Sequence, residues 1–91
     1  MTQALKITYD RAANALYIYV RDAESVSQRE YSKNVILDLA ADGGLVGIEV
    51  LDPGADLKPL VNGLGLDPQL ADVLDRIRGL IPLASKELVF A

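Results

Sequence analysis

Two arms of alternating residues, Val35-Ile36-Leu37-Asp38-Leu39 and Val46-Gly47-Ile48-Glu49-Val50-Leu51, flank the polar turn Asp42-Gly43-Gly44. Apolar side chains at every second place are the signature of a half-buried strand. Asp and Gly accept the positive φ of tight hairpin turns, so the segment predicts a β-hairpin. Parity sets its register. An even loop, at 42–43 or 41–44, opposes Leu39 to Val46, Leu37 to Ile48 and Val35 to Val50, gathering six apolar residues on one face. A three-residue loop would set Leu37 against Gly47 and scatter them, because a slip of one residue exchanges the faces. The even loop is expected. The second face then carries Asn34, Ile36, Asp38, Gly47, Glu49 and Leu51, a mixed set.

The same alternation recurs upstream. Residues 4–9 place Leu5, Ile7 and Tyr9 against Lys6 and Thr8, and residues 15–20 form a second strand. A four-residue turn at 11–14, led by Asp10 and closed by Asn14, opposes Tyr9 to Leu16, Ile7 to Ile18 and Leu5 to Val20. Tyr17 and Tyr19 go to the other face. Residues 25–31 are polar apart from Val26 and Tyr31 and read as an edge strand or arm, since charge and hydroxyls blunt an edge.

After Asp52-Pro53-Gly54 the period is lost until Asp67-Pro68, an N-cap followed by proline at the first helical position. Leu70, Val73, Leu74, Ile77 and Ile81 then share a stripe, with Asp72, Asp75, Arg76 and Arg78 facing away. The expected fold is α+β: a four-stranded antiparallel β-meander with a C-terminal amphipathic helix packed on one sheet face. It is a single domain over 1–91, with the meander core at 5–52, a loop at 53–66, the helix at 67–81 and a tail at 82–91. The tail is free to add a strand, dock on the helix or reach a partner. A helix of about 13 residues is about 20 Å long and covers one sheet face, not two. The uniformly apolar face is the expected core. The mixed face, with Tyr17, Tyr19, Ile36, Gly47 and Leu51, is left for association, either with a second copy or with a small protein partner. The converse, a helix docked on a neighbouring chain, stays open.

Composition narrows the chemistry. The 91 residues contain no cysteine and no histidine, which removes disulfides, thiolate zinc sites, a cysteine nucleophile and the usual neutral general base. Ser25, Ser27 and Ser32 therefore have no histidine to activate them. A net charge of −4 argues against a nucleic-acid partner, even though Tyr17 and Tyr19 beside Lys6 suggest a stacking platform. Gly63-Leu64-Gly65 lacks the strand and the Lys-Ser or Lys-Thr of a phosphate loop. No run reaches the roughly 18 apolar residues of a membrane span, and the N-terminus lacks the regions of a signal peptide. A cytoplasmic protein with no membrane partner is expected, with no cofactor, no catalytic residue and no metal site assigned. The one carboxylate pair, Asp38 and Glu49, falls on the mixed face as diagonal neighbours. It is read either as a low-ranking ligand-binding pair or as groups that bond the Tyr17 or Tyr19 hydroxyls.

Several blocks occur together: Lys6-Ile7-Thr8-Tyr9-Asp10, Ala13-Asn14-Ala15-Leu16-Tyr17-Ile18, Val35-Ile36-Leu37-Asp38, and Gly43 before Val46-Gly47-Ile48-Glu49-Val50-Leu51. In that order they resemble the small bacterial domain-of-unknown-function family 2283 (DUF2283), over roughly residues 5–52. Asn14 stands where that family is expected to carry Asp. The resemblance carries no activity with it. An antitoxin-like partner role is the association attached to its small members. The reading from the residues is a non-enzymatic protein-interaction or oligomerisation module. The alternative is a small-molecule or metal-binding protein using Asp38 and Glu49.

Overall fold

The computed structural model describes residues 6–53 and 57–80, and the backbone alone of 87–90. Strands β1 (Lys6–Asp10) and β2 (Ala15–Tyr19) form the first hairpin. It pairs Tyr9 with Leu16 and Ile7 with Ile18, as parity requires. Its turn is built as expected: the Ala12 N–H donates to Asp10 Oδ1 at 3.0 Å, and Asn14 sits at φ 46°. The expected partner pair of Leu5 lies outside the described residues.

Strands β3 (Ser27–Ser32), β4 (Val35–Leu39) and β5 (Leu45–Leu51) follow. The segment thus holds five strands rather than four, and the sheet is not a simple meander. Its order is β3-β4-β5-β2-β1-β6, where β6 is Glu87–Phe90, antiparallel to β1. Strand β2 therefore neighbours β5 instead of β3, giving a Greek-key connection. The reason is burial. Leu16, Ile18, Ile48 and Val50 are the most deeply buried positions of the sheet and take the middle, while every residue of β3 is exposed and takes the edge. The connection between β2 and β3 crosses the end of the β4–β5 hairpin. There the Val20 and Arg21 N–H groups both donate to the Val46 carbonyl, at 2.9 and 3.2 Å. Arg21 also pairs with Asp42 at 3.0 Å. That guanidinium, with the Gly44 N–H, holds the Asp42 carboxyl down to about 2.

The central hairpin opposes Val35 to Val50 and Leu37 to Ile48, as expected. Leu39, however, faces Leu45 and not Val46, across a register shift after Asp38. Five residues separate Leu39 from Leu45, an odd loop, and the bulge restores parity below it. Leu45 consequently packs against the core. Val46 is buried but lies outside the core cluster.

Two helices cover the apolar face. The stretch expected as loop contains α1 (Lys58–Gly63), which buries Leu60 and Val61. It ends in a Schellman motif: the Leu66 N–H donates to the Val61 carbonyl and the Gly65 N–H to the Asn62 carbonyl, with Gly65 at φ 67°. Helix α2 (Gln69–Leu80) starts where Asp67-Pro68 predicts, with the Gln69 N–H donating to Asp67 Oδ1 at 3.0 Å. Leu70, Leu74 and Ile77 are buried, but Val73 is 38% exposed. Because α1 and Leu66 share the covering, α2 needs a narrower stripe than its sequence offers. Ile81 and residues 82–86 lie outside the described residues.

Leu74→Ala should therefore cost about 2–5 kcal/mol in chemical denaturation. Val73→Ala should stay within about 0.5 kcal/mol of the parent. Equal costs would mean that α2 is seated on a different stripe.

Candidate functional site

The face opposite the helices is ordered in rungs. One rung runs Gln28, Asp38, Gly47, Tyr19, Lys6 across β3, β4, β5, β2 and β1. The next runs Glu30, Ile36, Glu49, Tyr17, Thr8. Asp38 and Glu49 are thus diagonal neighbours, as expected. Their environments differ. Glu49 is half-buried, whereas Asp38 is only 8% exposed and both of its oxygens are in use. The Tyr17 hydroxyl donates to Asp38 Oδ2 at 2.5 Å, and Gln28 Nε2 donates to Oδ1 at 3.0 Å.

Tyr17 reaches from β2 to β4 by lying over β5. The residue beneath its ring is Gly47, and a Cβ there would run into the Tyr17 hydroxyl and ring. The geometry gives this glycine the role of making room for an aromatic ring. Tyr19 packs beside Tyr17, with ring centroids 4.5 Å apart and planes tilted by 57°. Lys6 Nζ stands 4.9 Å from the Tyr19 centroid, a cation–π distance. Lys6, Tyr17, Tyr19, Arg21 and Val46 border a shallow depression of about 500 Å³. Burial pushes the Tyr17 phenol well above its ordinary range, and the donation to Asp38 and the charge of that carboxylate push it further.

The expected association residues are not all together. Tyr17, Tyr19 and Gly47 form one cluster with Asp38. Ile36 sits between Glu30 and Glu49 one rung on. Leu51 lies at the far end of β5, opposite Ala15, and borders a separate hollow of about 420 Å³ with Leu57 and Leu60. Lys6 lies beside Tyr19, as the parity of the first hairpin predicts. Gln28 is the member of this cluster that the sequence does not point to, because its place follows only once β3 is paired with β4 and β5 with β2.

This arrangement is a satisfied polar tie, not an open reactive group. Tyr17 holds its proton and donates it, and a cation at Asp38 would have to displace two donors. Among the described residues no group of three or more His, Cys, Asp or Glu could hold a metal ion. No helix among them is long and apolar enough to cross a membrane.

The profile of the family described as "Protein of unknown function (DUF2283)" matches residues 6–52, the five-stranded part that carries every residue of this site. The chain belongs to DUF2283. No curated protein and no solved structure matches it. The DUF2283 match ends at Asp52, so both helices and β6 lie beyond it while their packing surface lies within. Asn14, which stands at an expected Asp, accepts from the Tyr9 hydroxyl at 2.8 Å and donates to Asp52 at 3.2 Å. An Asp there would lose that second donor.

Tyr17→Phe leaves one Asp38 oxygen without its donor and should cost about 1–3 kcal/mol. Gly47→Ala displaces the same ring and should cost a similar amount. The two losses are one interaction, so the double variant should cost much less than their sum in a double-mutant cycle. Additive costs would show that Gly47 and Tyr17 act separately. The pH dependence has a definite sign. Folded Tyr17 binds its proton more tightly than unfolded Tyr17, so its contribution is fully present below the ordinary phenol pKa of about 10. It declines as the pH rises beyond that value. Denaturation curves at about pH 9 and about pH 11 should show a larger loss for the parent than for Tyr17→Phe.

Proposed function

We propose that this DUF2283 domain is a non-enzymatic protein-interaction module whose contact surface is the helix-free face of its sheet. The observation that carries this reading is the asymmetry of the two faces. Both helices pack on one side, where the core is closed. The other side keeps Tyr19 at 37% exposure and Tyr17, Ile36 and Glu49 half-buried, with the buried carboxylate of Asp38 already paired. Aromatic and aliphatic side chains on a flat, polar-satisfied surface suit association better than turnover. The occupant is a second copy or a small protein. An overall charge of −4 suits a basic partner, and an antitoxin-like role against a basic toxin fits this class. Use of Asp38 and Glu49 for a small molecule or metal draws no comparable support, since Asp38 is occupied.

Light scattering over a dilution series tests self-association directly. The parent should exceed its 9.8 kDa monomer mass at high concentration and approach it on dilution. Ile36→Asp, on the open face, should be monomeric throughout. Val73→Asp, on the outer side of α2, should behave as the parent does. A parent that is monomeric at every concentration would overturn the self-associating form of this reading.

A further inference from the structure

We propose that the open face pairs with its own copy about a two-fold axis running along the strands between β5 and β2, so that Lys6 of each chain meets the Glu49 side of the other. This rests on the reading of that face as an interaction surface and adds its geometry.

The six-stranded order places the middle of the sheet between β5 and β2. Charge is unevenly spread about that line. Glu30 and Glu49, with the buried Asp38, lie on the β3–β5 half, while Lys6 lies on the other half over Tyr19, with Asp10 on the same face of β1 two rungs away. Two sheets packing face to face can be related by a two-fold axis across the strands or along them. An axis across the strands stacks each strand on its own copy, setting Lys6 towards Lys6 and the acidic half on the acidic half. An axis along the strands exchanges the halves, placing β5 over β2 and β4 over β1 of the copy. Lys6 then stands over Asp38 and Ile36, one rung from Glu49, and Glu49 faces the copy's Tyr17. Unlike charges meet and no like pair is opposed. Aligned sheets pack in this way with a small twist.

Area sets the strength. Six strands at about 4.8 Å spacing and five residues at about 3.3 Å give a face of about 400–475 Å² per chain. A total of about 800–950 Å² lies just below the roughly 1,000 Å² of a specific interface, so the dimer should be weak and reversible.

The test is a charge exchange read by sedimentation or light scattering, with circular dichroism to confirm folding. Lys6→Glu and Glu49→Lys should each weaken the dimer by about tenfold or more, the effect of turning a close attraction into repulsion. The double exchange should recover most of the parent association. Should Glu49→Lys not fold, Glu49→Gln serves: combined with Lys6→Glu it should associate better than Lys6→Glu alone. If neither single reversal changes association while Ile36→Asp still abolishes it, this geometry is wrong and the face remains the interface. If the double exchange is no better than the singles, the pairing of Lys6 with Glu49 is wrong. A parent that never exceeds monomer mass removes the self-association reading and this geometry with it.

Discussion

A carboxylate held at 8% exposure in a sheet has to be hydrogen-bonded, and satisfying Asp38 constrains four strands at once. Its donors come from β2 and β3, while it sits on β4 and the tyrosine passes over a side-chain-free position on β5. A one-residue slip of β2 or β3 would turn Tyr17 or Gln28 to the opposite face and strand the carboxylate. The apolar parity on the other face demands the same register. Ile18 opposes Ile48, which opposes Leu37, on the face beneath the helices. Two independent requirements, one apolar and one polar, thus select one pairing, the kind of agreement that separates a native register from its neighbours.

That register also explains the topology. Strands whose core-facing residues are fully buried must be covered on both sides by other strands, so β5 and β2 occupy the middle. The chain then has to carry β3 to the far edge, and the crossing is secured at the β4–β5 turn. Val46 supplies one carbonyl to two N–H donors, and the bulge that frees it also directs Leu45 into the core. Arg21 closes the crossing on Asp42 at the surface, where such a pair adds orientation more than stability.

Much of this was legible from period and parity. The strand positions, the Arg11 to Asn14 turn, the pairing of Leu37 with Ile48, the Asp67-Pro68 helix start and the diagonal relation of Asp38 to Glu49 all follow from local pattern. The failures are of three physical kinds. Pairing between distant strands leaves no mark in a period-2 pattern, so the β2–β5 contact, and with it the place of Gln28, was not readable. Helix α1 is hidden in the sequence because Pro59, Gly63 and Gly65 also suit a loop. Proline at a helix start and glycine one residue beyond its cap are helix punctuation as well, and here Gly65 closes the Schellman turn. Val73 failed for a third reason: the helical stripe states what can be buried, and the neighbouring α1 decides how much of it is.

The exposed edge β3 is a competing route to association, and its sequence disfavours it. In a two-fold antiparallel pair joined edge to edge, opposed residues point to the same side. A residue therefore meets only residues of its own parity, and the central one meets its own copy. For Ser27–Ser32 the two registers with most overlap are centred on Arg29 or on Glu30. The first opposes Arg29 to Arg29 and the second Glu30 to Glu30, and like charges directly opposite destabilise a ladder. A register shift after Glu30 further bends the edge away from a straight template. Natural sheets protect edges by these means. The face has no such protection: its carboxylate is paired, its glycine is filled by a tyrosine ring, and its exposed groups are aromatic, aliphatic and of both charges.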